Sequence, residues 1–102
     1  MNVCFLHGKI VSKIQFDFFY NSKKHISVVK FKVLLCPKVS NYEEHVEIFV
    51  KGYDELADII YREYEEGEDI SFIGYLKENY VIITNIENKF WQYKKYVVKY
   101  LM

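Results

Sequence analysis

The chain has 102 residues, a length that suits one domain. Its 51% hydrophobic content is enough for a packed core, yet no stretch approaches the length of a membrane-crossing helix. Fourteen basic and fourteen acidic residues cancel, so no overall field draws in an anionic partner; any anion-binding face must come from how the lysines are distributed.

The opening MNVCFLHGK has no basic n-region and only a short apolar run, so it does not read as a signal peptide. Two cysteines read as reduced thiols, and the expected location is the cytoplasm. Aromatic residues reach 19%, but Lys, Ile, Asn, Tyr and Phe are abundant together, as in a low-GC genome. Aromatic content alone is therefore a weak pointer to a stacking surface.

Val3 to Val11 alternates as a strand, with Cys4, Leu6, Gly8 and Ile10 on one face and Phe5, His7 and Lys9 on the other. Ser12 to Tyr20 continues in β-prone residues, and NSKK at 21–24 is a loop tip. Ile26 to Cys36 is a long strand: Val29, Phe31, Val33 and Leu35 oppose Val28, Lys30, Lys32 and Leu34. Pro37 ends it, having no N–H for a ladder. After the polar connection PKVSNYEE, Val46 to Lys51 forms a third strand, with Ile48 and Val50 opposite Glu47, Phe49 and Lys51.

A helix follows Gly52. Asp54 is placed to cap its N-terminus, and Glu55 and Asp58 favour the first turn through the dipole. Leu56, Ile59, Ile60 and Tyr64 recur at helical spacing and seat it on the sheet, and Gly67 stands where a left-handed C′ residue belongs. Ile70 to Lys77 is a fourth strand, with Ile70, Phe72, Gly74 and Leu76 inward and Ser71, Ile73, Tyr75 and Lys77 outward. Glu78-Asn79 turns the chain into a fifth strand, Tyr80 to Ile86. A phosphate-binding loop needs several glycines and a Lys-Ser/Thr pair at the helix start. Here one glycine is followed by Tyr53 and Asp54, and Asp54 would repel a phosphate.

Five strands with one helix between the third and fourth give an all-β class, the order of a five-stranded OB-fold barrel. Gly8 and Gly74, inside strands, suit the places where a small barrel coils tightly. The domain reading is 1–88 for the barrel. Residues 89–102 form an aromatic and basic C-terminal extension that packs on the barrel or on a second subunit.

The same segments resemble the bacterial single-stranded DNA-binding protein family. NVCFLHGKI at 2–10 is similar to its opening strand, and KFKVLL at 30–35 to its second. VEIFVKGYDELADIIYREYEEGEDISFIGYL, 46–76, carries the most specific likeness. Gly52, Leu56-Ala57-Asp58, Gly67-Glu68-Asp69 and Gly74-Tyr75-Leu76 stand in the family's order, with one extra residue between Gly52 and Leu56. The resemblance covers about 85 residues and implies an OB-fold, DNA binding and a homo-oligomer, dimer or tetramer. Two departures stand out. Where the family often has a stacking Trp early in the third strand and a Phe beside its closing glycine, this chain has His45 or Val46 and Lys51. The family's acidic C-terminal peptide is replaced by NKFWQYKKYVVKYLM. The chain looks like a short, divergent member of the phage, plasmid or mobile-element type.

Binding single strands without sequence readout needs cations along the backbone path and aromatic faces for bases. Lys9, Lys30, Lys32, Lys51 and Lys77 all take the outward parity of their strands, as do Phe49 and Tyr75, while the acids concentrate in the helix and its flanks. Outward lysines also serve simply as solvated residues that block edge pairing. The hairpin QFDFFYNSKK adds Tyr20, Lys23 and Lys24 as candidates, because OB-folds bind ligands with this first loop too; Phe16 and Phe18 read equally as core or interface. In the extension, Phe90, Trp91, Tyr93, Tyr96 and Tyr100 interleave with Lys94, Lys95 and Lys99. A helix and a strand both suit that segment. Trp91 is its stacking candidate, against packing on the barrel or a second subunit.

His7, His25 and His45, with Cys4, make no metal-ligand spacing, and Cys36 reads as a small apolar residue. No nucleophile–base constellation stands out. The expected function is non-catalytic single-stranded DNA binding, in replication or transfer of a mobile element, with no metal and no cofactor. Replication proteins are expected as further partners, and a membrane is not. The alternative is an OB-fold interaction subunit of a replication or primosome assembly that touches DNA weakly, which the neutral net charge and the missing stacking positions would suit.

Overall fold

The structure, a computed structural model, describes residues 2–21, 24–35, 38–39, 42–43 and 46–87. Lys23, Cys36, Pro37, His45, Trp91 and the whole 89–102 extension lie outside the described residues. The elements in order are β1 (Cys4–Ile10), β2 (Gln15–Asn21), β3 (Lys24–Leu35), the two-residue strands β4 (Lys38–Val39) and β5 (Tyr42–Glu43), β6 (Val46–Tyr53), helix α1 (Glu55–Glu63), β7 (Asp69–Lys77) and β8 (Tyr80–Ile86).

The main sheet has the order β1-β7-β8-β6-β3-β2, and β1 also pairs with β3. That extra pairing closes a ring of five strands, β1-β7-β8-β6-β3, with α1 lying between the third and fourth ring strands in sequence. This is the expected OB-type barrel. The sheet holds six strands rather than five. β2 is the addition, an antiparallel partner on β3 alone. β3 is long enough, at 12 residues, to serve β2, β6 and β1 in turn.

Alternation decides the core. Val29, Val33, Val50, Ile10 and Ile70 are fully buried, with Phe31 and Phe72 almost so, while most of their sequence neighbours are more exposed; Val28 and Ser71 are the exceptions, at 6% and 5%. Two glycines allow the ring to close. A Cβ on Gly8 would stand 2.5 Å from the carbonyl oxygen of Leu34, where β1 meets β3. On Gly74 it would stand 2.5 Å from that of Ile82, at the register shift between β7 and β8. Both obstacles are backbone, so no side-chain movement would relieve them.

Ala57, Ile60 and Tyr64 bury the inner side of α1 against the barrel. The helix start differs from the capping expected of Asp54. Only this residue separates β6 from α1, and it turns the chain with φ 54°, which takes its carboxylate away from the helix N–H groups; no side-chain cap forms. β3 anchors the junction instead. The Asp54 N–H donates to the Ser27 carbonyl at 2.9 Å, and the buried Ser27 hydroxyl lies 3.1 Å from the Asp54 carbonyl and 3.0 Å from Asp58 Oδ1. Gly67 has the expected positive φ, 97°, but not the expected place. The helix stops at Glu63 and Tyr64 is already extended. Gly67 sits further on, in a turn closed by Glu68 N–H donating to the Glu65 carbonyl, and its own N–H donates to Ile10 O at 2.8 Å.

Two parities on β7 also depart from expectation. Leu76 is 56% exposed rather than inward. It lies beside the Glu78–Asn79 turn, past the end of the packed interior, and its backbone is bracketed by the Asn2 side-chain amide. Ser71 is outward in parity but buried: His7 Nδ1 meets its hydroxyl, and the Glu87 N–H donates to its carbonyl. No helix among the described residues is long and apolar enough to cross a membrane.

Candidate nucleic-acid interface

The outer wall of β7, β8, β6 and β3 carries most of the candidate residues, and the register shows how they meet. Lys77 pairs with Tyr80, Tyr80 with Phe49, and Phe49 with Lys32, forming one row across four strands. The next row is Tyr75, Ile82, Lys51 and Lys30, continued by Gln15 on β2. Neighbouring strands lie about 4.8 Å apart, so the four strands span about 14 Å. Side chains of directly opposed residues on one face are in reach of each other.

Cations and rings touch within this grid. Lys51 Nζ stands over the Tyr80 ring, 3.8 Å from its centroid, and Lys32 Nζ stands 5.1 Å from that of Phe49. The two rings are 5.9 Å apart at an interplanar angle of 60°. Both lysines are in range for cation–π attraction. Ile82, only 8% exposed, floors the second row, while Phe49 is 49% exposed. A groove of about 220 Å³ continues the face past β3, lined by Ser12, Lys13, Gln15, Lys30, Phe31, Lys32, Phe49 and Tyr80. The Ser12 hydroxyl accepts from the Lys32 backbone N–H at 2.8 Å and ties the β1–β2 connection to this edge. Glu47 is the acid on the β6 side of the face. It approaches Lys32 Nζ only to 4.0 Å with both side chains well solvated, a pair of little strength.

The structure thus brings together Lys30, Lys32, Phe49, Lys51, Tyr75 and Lys77. Lys9 stands apart on β1, in register with Leu34 and with the acidic Asp69. Lys24 is at the tip of the β2–β3 hairpin. Tyr20 is 77% exposed, but it pairs with His25, whose ring lies 4.0 Å away at a tilt of 55°. His25 shares its parity on β3 with Ser27, which reaches the start of α1, so Tyr20 lies on the side of the hairpin away from Lys30. Lys23 and Trp91 lie outside the described residues.

Sequence reasoning missed Tyr80, Gln15 and Lys13, and also Tyr53 and Phe19. The last two extend the outward aromatic line along β6 towards the hairpin, their rings 6.5 Å apart and perpendicular. Outward parity with Phe49 and Lys51 was the available signal for Tyr53, and proximity to the Glu78–Asn79 turn for Tyr80. Among the described residues no cluster of three or more His, Cys, Asp or Glu is placed to hold a metal ion.

No protein-family model matches the sequence, and no curated protein matches it either. Solved structures do match in fold. The SSB domain of a Synechococcus protein aligns with a TM-score of 0.71 at 18% identity, covering 86% of this chain and 96% of that one. The second single-stranded DNA-binding protein (SSBb) of Mycobacterium smegmatis gives 0.71 at 17% identity, covering 89% and 91%. The priB protein of Ralstonia solanacearum gives 0.67 at 16% identity, covering 86% and 98%. The likeness runs over nearly the whole length of each, and the chain shares their OB-type fold.

Proposed function

We propose that the chain binds single-stranded DNA, without strong sequence preference, across the β7-β8-β6-β3 face. The observation that carries the reading is the pair of rows, Lys77–Tyr80–Phe49–Lys32 and Tyr75–Ile82–Lys51–Lys30, in which cations and aromatic rings alternate within reach of one strand of nucleic acid. Stacking on a ring accepts any base, because every base has a π-face, and is worth about 1–3 kcal/mol per base. Lysines meet phosphates without reading sequence. The names of the SSB neighbours support the same ligand.

In the free protein the ammonium of Lys51 occupies the face of Tyr80. A base arriving on that ring displaces the ammonium, which then becomes available to the flanking phosphate. Lys9, Lys23 and Lys24 are proposed as flanking contacts for a longer strand, whereas Tyr20 faces away from Lys30 and Trp91 is not assigned to the DNA path. We extend the proposal to replication or transfer of a mobile element, on the sequence resemblance, and to the cytoplasm, on the reading of the two cysteines as reduced thiols. Assembly into a homo-oligomer belongs to it as well, supported by the exposed Val3, Phe5 and Leu76 at the β1–β7 end, since clustered exposed apolar residues mark contact sites.

The test is a fluorescence anisotropy titration with labelled oligo-dT, competed by unlabelled mixed-sequence single strands and by duplex. The reading expects single strands of different sequence to compete alike and duplex to compete poorly. Equal competition by duplex, or no binding of oligo-dT, would overturn it.

A further inference from the structure

Across Lys13 from the groove beside the lysine face, the outer flank of α1 is open. Tyr61 is 54% exposed, and a groove of about 410 Å³ runs beside it, lined by Lys13, Ile14, Tyr61, Tyr64, Glu65 and Glu66. Its walls are apolar and aromatic, and its rim carries two carboxylates against one ammonium. The aromatic surface continues beyond the groove: Phe16 packs on Tyr61 at 4.7 Å, and Phe18, 64% exposed, packs on Phe16 at 5.0 Å.

The groove lies where the chain leaves the barrel. The Tyr64 hydroxyl, on its wall, donates to the carbonyl of Glu87 at 3.2 Å. Residues 88–102, NKFWQYKKYVVKYLM, follow immediately. They hold Lys89, Lys94, Lys95 and Lys99 and no acid, together with Phe90, Trp91 and three tyrosines. A segment so apolar must cover itself against something.

We propose that the C-terminal segment docks into this groove of its own chain, with Phe90 and Trp91 against Ile14 and Tyr61 and its lysines toward Glu65 and Glu66. Three arguments single out this occupant. The reach is short: the four residues from Glu87 to Trp91 span up to about 14 Å when extended, and Glu87 already touches the groove wall. The charges complement, four lysines meeting an acidic rim. A tethered segment acts at an effective concentration in the millimolar range for a short link, far above that of a second copy in dilute solution. The proposal does not rest on DNA binding, and its groove shares only Lys13 with the groove beside the lysine face.

Trp91 is the chain's single tryptophan, so its fluorescence reports on the segment alone. The experiment is emission and acrylamide quenching of the full chain without DNA, at two protein concentrations, for wild type, Ile14→Asp and the double variant Glu65→Lys/Glu66→Lys, with far-UV circular dichroism as the check on folding. The expected result is a blue-shifted, quencher-protected Trp91 in wild type, unchanged by dilution. Both variants should shift toward the emission and quenching of free N-acetyltryptophanamide. The double variant alters exposed carboxylates and keeps the test valid if Ile14→Asp unfolds. Solvent-like Trp91 in wild type, protection that survives the double variant, or protection lost on dilution, which would put the segment on a second copy, would each overturn the proposal.

Discussion

Lys51 on β6 and Tyr80 on β8 meet across the barrel's parallel strand pair, the Lys51 ammonium 3.8 Å from the centre of the Tyr80 ring. One residue supplies charge and the other a stacking surface, and neither lies deep in the core. Replacing Tyr80 with Ala should therefore leave folding almost intact and weaken oligo-dT binding by about 1–3 kcal/mol, the usual worth of one base–aromatic stack. Anisotropy titration beside a urea melt separates the two effects. Unchanged affinity would remove Tyr80 from the DNA path.

Lys32 and Lys51 lie on the solvent side of their strands, one in each row. The double charge reversal Lys32→Glu/Lys51→Glu should weaken DNA binding and flatten its salt dependence. Each lysine–phosphate contact to a single strand contributes about 0.7 to the slope of log affinity against log salt, so losing two should lower it by about 1.4. Titrations between low and moderate salt measure this. A slope equal to that of wild type would place the phosphate path elsewhere.

Gly8 and Gly74 hold the ring closed because a Cβ at either would meet backbone oxygen at 2.5 Å. Gly8→Ala and Gly74→Ala should each cost about 1–3 kcal/mol, as overpacking does when the obstacle cannot move aside. Urea unfolding provides the measurement, and a loss below half a kcal/mol by the scale of ordinary surface changes would show that the strands part more easily than their register implies.

Tyr64 ties the C-terminal end of α1 to the exit of β8. Burial raises its pKa above the ordinary 10.0, and the carboxylates of Glu63, Glu68 and Glu87 push in the same direction. The folded state thus holds the phenolic proton more tightly than the unfolded chain. The stability this contributes is fully present below about pH 10 and is lost as pH rises through the folded value. Tyr64→Phe should cost about 0.5–1.5 kcal/mol at neutral pH through the lost hydrogen bond, and should lose less stability than wild type between neutral and strongly alkaline pH. Chemical denaturation across that range checks both.

Much of the fold was legible because strand burial follows local alternation. β3 reads Val29, Phe31, Val33 and Leu35 inward and Val28, Lys30, Lys32 and Leu34 outward, and the structure keeps that pattern except at Val28, which is 6% exposed where β3 pairs with Tyr53 of β6 and with β2. Leu76 and Ser71 broke the rule for reasons outside their own strand: one lies past the end of the core, the other under His7 and Glu87. Asp54 had the right chemistry for a cap, but a one-residue junction left it no room to act as one. The candidate face was half legible. Outward parity identified the lysines and Phe49, whereas the contact of Tyr80 with Lys51 and Phe49 depends on a parallel pairing of strands that a helix and another strand separate in the chain. No local pattern encodes that register. The hairpin shows the same limit: Tyr20 and Phe19 are adjacent, and only the pairing with β3 reveals which side each takes.

The most direct test of the proposed face is amide and side-chain chemical-shift mapping by NMR as short oligo-dT is added to the full chain. The account predicts that the perturbations concentrate on Lys30, Lys32, Phe49, Lys51, Tyr75, Lys77 and Tyr80, with α1 between Glu55 and Glu63 little changed. Perturbations centred on α1 and the Tyr20–His25 side of the hairpin, with the two rows silent, would contradict it.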